Sequence, residues 1–350
     1  MKWNKIMVLM TCCMLLLSGC ATKNTANAQK HEAMTFAMDT LMMLTVYDKN
    51  GEQILVDAEQ EIRRLENLLS VTIEDSDIAK LNHNAGKEAV AISDDTMSLL
   101  QVGNDINVLT NGCYDMTVSP IVKAWGFTEE THKVPSQQEI DILLPLVNHN
   151  AVTVDTENKT AYLEQAKMAV DLGGIAKGYT SDCVVNLLKE KGVSSAIISL
   201  GGNVAAVGNK PDGSPWKIAV ENPLNNGNGD YVGLLTVTDK FAVTSGGYQR
   251  YFEQDGKKYH HIIDPHTGYP AESGLISVTI VCDNGTKADG LSTALFVMGL
   301  EKGLDLWRQS DDFEVIFITD DHKVIATEGI AEQFAFSEED NDFVYEIAKR

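Results

Sequence analysis

Apolar positions along the chain recur with two periods. Between Asp57 and Leu69, residues Ala58, Ile62, Leu65 and Leu69 fall at helical spacing, which predicts a helix with one buried stripe. Further helices are predicted over Asp94 to Leu109, ended by Asn111-Gly112, over Lys177 to Lys191, ended by Gly192, and over the apolar stretch Asp289 to Leu300. Short β-type runs are predicted at Met43 to Asp48, Ser195 to Leu200, Trp216 to Val220, Gly233 to Val237, Phe241 to Val243 and Leu275 to Val281. Glu314 to Thr319 and Val324 to Thr327 read as a closing hairpin, and the Asn- and Gly-rich stretch Asn222 to Asp230 as a surface loop. Helices and strands alternate irregularly and no repeat is present. The mixture predicts an α+β fold of antiparallel strands with helices segregated on them.

The first residues carry a different pattern. Lys2 and Lys5 precede the apolar run Ile6 to Leu17, too short to span a membrane comfortably and suited to a secretory signal. Leu17-Ser18-Gly19-Cys20 follows, which resembles a bacterial lipobox with Cys20 as the lipidated residue. The expected division is a signal peptide over residues 1–19, a flexible tether over 20–36, one domain over 37–337 and a tail over 338–350. A lipid-anchored protein on the extracytoplasmic side of a cell membrane is implied.

Composition narrows the chemistry. The chain has 350 residues, 44% hydrophobic and 22% charged, with a formal net charge of -22. So acidic a surface excludes nucleic acid as an expected partner. Cys113, Cys183 and Cys282 lie far apart, odd in number and outside any CxxC pair, so neither a disulfide framework nor a zinc site is expected. The phosphate-binding loops Gly-x-x-x-x-Gly-Lys-Ser/Thr and Gly-x-Gly-x-x-Gly are absent from the sequence.

Four segments carry candidate chemistry. Asp171-Leu172-Gly173-Gly174-Ile175-Ala176-Lys177-Gly178 places a glycine pair and a cation at a helix start, which suits phosphate; the bland alternative is an ordinary turn. In Tyr259-His260-His261-Ile262-Ile263-Asp264-Pro265-His266-Thr267-Gly268-Tyr269-Pro270, strand alternation puts His261 and Ile263 on one face, where a histidine could take a proton beside a flat ring. The alternative is a histidine that is merely exposed or hydrogen-bonded. Asp289, Ser292 and Thr293 share one helix face and suit a hard cation, unless Asp289 is only the helix cap. Gly112-Cys113-Tyr114-Asp115-Met116-Thr117-Val118-Ser119-Pro120, continuing to Trp125-Gly126-Phe127, could cradle an aromatic ring or simply pack in the core.

Taken together, these segments with Met38-Asp39-Thr40, Gly201-Gly202-Asn203 and Thr244-Ser245-Gly246 resemble the ApbE family of FAD:protein FMN transferases, from about Met38 to about Phe336. The resemblance implies a T-fold-like core with a smaller α/β part. It implies Mg²⁺ held by Asp289 and Thr293 with oxygens of Gly174 and Ser292. It further implies an FAD site lined by Met38, Tyr114, Asp115, Met116, Asp171, Lys177 and Ile263, with His261 catalytic. The implied substrate is FAD, the implied product an FMN unit on a Thr or Ser hydroxyl, and the implied acceptors extracytoplasmic flavoproteins such as Rnf- or Nqr-type subunits. Hydrolysis of FAD to FMN and AMP, or flavin binding without catalysis, would use the same features. Two positions depart from the family pattern: Asp39 stands where Gly is usual, and Thr72 where an aromatic residue often stacks on the ligand. Tyr248 and Tyr269 are candidates to supply the missing ring.

Overall fold

The computed structural model describes residues 29–129, 131–224, 229–338 and 342–350. The signal-like segment and Cys20 lie outside these residues. The framework is a nine-stranded sheet in which spatial order follows chain order: Lys30–Ala37, Thr40–Tyr47, Ser195–Leu200, Asn203–Gly208, Phe241–Gly246, Leu275–Cys282, Phe313–Thr319, Lys323–Thr327 and Val344–Ala348. Neighbours pair antiparallel except the last two strands, which run parallel. Helices Gly51–Leu69, Ala176–Glu190 and Gly285–Met298 cover one face. Their apolar stripes and the inward strand residues form the largest core. A three-stranded sheet of Trp216–Glu221, Tyr231–Val237 and Phe334–Phe336 packs on part of the opposite face. A smaller part holds the antiparallel strands Val90–Ala91, Thr160–Leu163 and Val152–Asp155 beside the helices Asp77–His83 and Asp94–Leu109. The class is α+β.

Local chemistry explains the elements that matter for the site. The helix Gly51–Leu69 buries Ile54, Leu55, Ala58, Ile62, Leu65 and Leu69 at helical spacing. Ser93 caps Asp94–Leu109 by accepting from the Thr96 N–H, and Asn111 and Gly112 end it in the left-handed region. Met38 and Asp39, at φ 49° and 57°, form a two-residue turn joining the paired residues Ala37 and Thr40. Such a turn requires positive φ at both positions, and Asp enters that region more readily than most residues. This is why Asp39 can stand where the family pattern has glycine.

Three boundaries are corrected. The tether does not extend through residue 36, because Lys30–Ala37 is an edge strand paired along its whole length with Thr40–Tyr47. Residues 338–350 are not simply a tail. Val344–Ala348 pairs with Lys323–Thr327, Phe343 is buried, and Tyr345 stacks on Phe336. The helix expected to start at Asp289 starts at Gly285, where the Asn284 side chain accepts from the Lys287 N–H. Asp289 therefore lies in the second turn and is not a cap. The unfavourable field that a helix start would impose on a cation is correspondingly weaker there.

Candidate functional site

One cleft of about 620 Å³ gathers most of the predicted residues, a volume ordinary for a small-molecule site. Its wall includes Met38, Tyr114, Asp115, Asp171, Gly174, Lys177, His261, Ile263, Asp289 and Thr293. Two predicted residues do not reach it. Met116 is in the core with its sulfur near Gly103, and only its carbonyl is used, accepting from the Asp171 N–H at 2.8 Å. Ser292 is fully buried behind the wall, where its hydroxyl meets the Asp289 carbonyl and Ser245 Oγ at 2.8 and 2.7 Å. Neither aromatic candidate lines the cleft either. Tyr248 is buried outside it, and Tyr269 packs edge-on against Trp125 and bonds Gln137. The rings on the wall are Tyr114 and Phe127, with Thr72 exposed nearby on the loop after the first helix.

The acidic end of the cleft is built by two helices in close contact. The backbone of Gly178 touches that of Gly285, since a Cβ on Gly178 would fall 2.2 Å from the Gly285 oxygen. That contact lets the Gly178 N–H donate to Asp289 Oδ2 at 2.8 Å. Asp289 is 3% exposed, and burial pushes its carboxyl above the usual range against the opposing pull of Lys177 and the Gly178 N–H. Asp171 is raised for the same reason, opposed by the Gly173 N–H and by Lys177 and Arg250. Thr293 Oγ1 lies 3.2 Å from Ser245 Oγ. A Cβ on Gly174 would sit 2.9 Å from the Tyr114 ring and 3.7 Å from Thr293 Oγ1, so only glycine lets the backbone lie so near both. The Tyr114 hydroxyl is buried without a hydrogen-bond partner among the described residues, and Asp289 is the foremost charge acting on it.

These groups fit a hard divalent cation. One buried carboxylate beside a free-standing hydroxyl and Thr293 offers oxygen donors only. Among the described residues there is no cluster of three or more His, Cys, Asp or Glu side chains able to hold a metal. The rest of the coordination shell would therefore come from a bound ligand and water. An orphaned buried hydroxyl is costly unless something such as metal-bound water satisfies it.

The basic end holds His261, one residue beyond the strand Lys257–His260. His261 N–H and Nδ1 both approach the Arg250 carbonyl at 3.1 Å. A carbonyl only accepts, so Nδ1 carries the proton and Nε2 keeps its lone pair. Burial pushes the imidazole down to about 4; the Arg250 carbonyl opposes this, and the charges of Arg250 and Lys177 reinforce it. His260 turns away, bonding the Ala271 carbonyl and meeting Phe296 edge-on. Arg250 itself, absent from the sequence expectations, lines the cleft and donates to the Phe127 carbonyl. Its signal was a lone cation between Tyr248 and Tyr251 in an acidic chain, too general to single out. Lys177 bonds the Gly173 carbonyl at 3.2 Å, and Asn203 and Gln249 complete the polar wall.

The sequence pattern of the ApbE family matches residues 38–317. Among curated proteins, the FAD:protein FMN transferase of Klebsiella pneumoniae (strain 342) is 35% identical over 288 residues, 82% of this chain and 89% of the relative. That of Treponema pallidum (strain Nichols) is 32% identical over 88% of this chain and 90% of the relative. Among solved structures, the ApbE protein of Thermotoga maritima superposes with a TM-score of 0.81 at 32% identity, over 87% of this chain and 99% of the other. The flavin transferase ApbE of Vibrio cholerae gives 0.76 at 29% identity, over 83% and 94%. With the match running across most of the chain in both sequence and fold, this protein belongs to the ApbE family.

Proposed function

We propose that the protein is a Mg²⁺-dependent FAD:protein FMN transferase, lipid-anchored through Cys20 on the extracytoplasmic face of a membrane. The observation that carries the reading is that His261 and Asp289 open into one cleft of about 620 Å³, with a proton-accepting nitrogen on the first and an oxygen donor set around the second.

FAD is the substrate. Lys177, at the start of its helix, faces the diphosphate, and Ile263, Tyr114 and Phe127 offer apolar surface to its rings. Asp289 and Thr293, with the oxygen of Gly174, would hold Mg²⁺, which would supply charge neutralisation at the diphosphate. His261 Nε2 takes the proton of the acceptor Thr or Ser hydroxyl. That oxygen bonds to the FMN-side phosphorus while the phosphorus–oxygen bond to AMP breaks. The products are a phosphoester-linked FMN on the acceptor and free AMP. Extracytoplasmic flavoprotein subunits of the Rnf or Nqr type are the acceptor class.

The test is mass spectrometry of such an acceptor domain after incubation with the protein, FAD and Mg²⁺. The acceptor should gain one FMN unit, and Asp289→Ala and His261→Ala should each abolish the gain. Full activity in either variant overturns the role given to that residue. FMN released at the same rate with no acceptor present would make the protein a hydrolase instead.

A further inference from the structure

We propose that the outer face of the first β-hairpin is the surface on which the acceptor protein docks; this rests on the transferase reading. The hairpin joins Lys30–Ala37 to Thr40–Tyr47, and strand alternation divides its residues between two faces. Thr35, Ala37, Met42 and Leu44 face the core. Met34, Phe36, Leu41 and Met43 face outward at 67%, 62%, 48% and 49% exposure. The register sets Met34 opposite Met43 and Phe36 opposite Leu41, so the four side chains form one contiguous patch.

The patch exists because the second layer stops short. The three-stranded sheet covers the same face farther along, where Tyr47, Ile197 and Val204 pack against its core and Tyr47 meets Trp216 at 6.1 Å. The first hairpin projects past that cover. The residues joining it to Cys20 are polar or alanine, from Ala21 to Gln29, and supply no large apolar side chain to shield it. Contiguous apolar surface of this kind marks an interaction site more often than an accident of composition.

Position and charge select the occupant. The hairpin turn, Met38-Asp39, is itself part of the cleft wall, and Phe36 and Leu41 are the last outward-facing pair before it. The patch therefore runs directly into the cleft. A protein that delivers a hydroxyl to His261 must sit at that rim, and an apolar surface beside the acceptor hydroxyl would cover the four side chains. A bilayer is the weaker candidate. The molecule carries a net charge of -22, which anionic lipid repels, and Lys30 beside the patch is already paired with Glu32 at 2.7 Å.

The experiment compares two double variants, Phe36→Thr/Leu41→Thr and Met34→Thr/Met43→Thr, with the wild type. Threonine keeps strand preference while removing apolar surface. Steady-state flavinylation of the acceptor domain gives KM for acceptor, KM for FAD and kcat. At least a tenfold rise in acceptor KM is expected, with kcat and FAD KM within twofold. Unchanged acceptor KM in both variants overturns the proposal. So does a result in which the variants lose only co-sedimentation with phosphatidylglycerol-containing vesicles, which would assign the patch to lipid. If a double variant fails to bind FAD, Phe36→Thr alone carries the comparison. A wild type that transfers no FMN to any acceptor fails at the earlier step and is thereby distinguished from a docking error.

Discussion

His261 is the residue whose environment most sharply defines its chemistry. Its imidazole is pushed down to about 4 by burial, so it is neutral across the physiological range with Nε2 unprotonated. The folded chain binds this proton less tightly than the unfolded chain, where the ordinary value near 6.5 holds. Stability is therefore lost as pH falls through 6.5 toward 4, and none of this contribution is lost above that window. With His261 as the proposed base, the rate should follow the same nitrogen. The acid limb of kcat/KM for the acceptor should lie below about pH 5, because a base works only unprotonated. His261→Gln should cut transfer by about 10²- to 10⁴-fold and make folding less acid-sensitive between pH 4 and 6.5. A pH–rate profile with its inflection at 6.5 would show that the ring titrates normally. The sequence pointed to this histidine, but the Nδ1 contact that fixes its tautomer comes from the carbonyl of Arg250, eleven positions away, and is visible only in the fold.

At the level of elements, the helix pair Ala176–Glu190 and Gly285–Met298 positions the acidic end of the cleft through backbone contact. Gly178→Ala would place a methyl group 2.2 Å from the Gly285 oxygen and 2.7 Å from Asp289 Cβ. The helices must separate, at a cost of roughly 1 to 3 kcal/mol. Thermal unfolding should show that loss, and titration of activity with Mg²⁺ should show about a tenfold or greater rise in the concentration required. Acceptor KM should stay unchanged. Elements with regular apolar spacing were the legible ones: Asp94–Leu109 and Ser195–Leu200 lie where the pattern put them. The first strand was hidden because its pattern is inverted. Its inward residues are the small Ala33, Thr35 and Ala37, while its bulky Met34 and Phe36 face out. The last strand was hidden behind the acidic run Glu338-Glu339-Asp340 and needs Lys323–Thr327 as a partner to exist. The side chains of Met116 and Ser292 do not line the cleft, because a motif names neighbours without saying which of them faces it.

For the whole molecule, the long sheet separates the site from its stabilising flank. Cleft residues come from segments between Met38 and Thr293, and none comes from the strands Phe313–Thr319, Lys323–Thr327 or Val344–Ala348. Truncation before Phe343 removes that buried ring, the final strand, and the contact of Arg350 with Trp307 at 4.6 Å. A loss of about 3 to 5 kcal/mol is expected from the aromatic alone. Calorimetry should show a melting point lower by several degrees, and light scattering should show association through the newly bared edge. Affinity for FAD, measured below the melting transition, should be unchanged. Coupled loss of FAD affinity would mean that the far edge supports the cleft. Spatial order that follows chain order also puts the beginning and the end of the folded chain at opposite margins of the nine strands. Eight gaps of about 4.8 Å set these margins roughly 38 Å apart. A fluorophore or capture tag appended after Arg350 would thus hang from the side remote from the first hairpin. Molecules immobilised that way on a sensor would present the catalytic opening and its apolar rim to the solution.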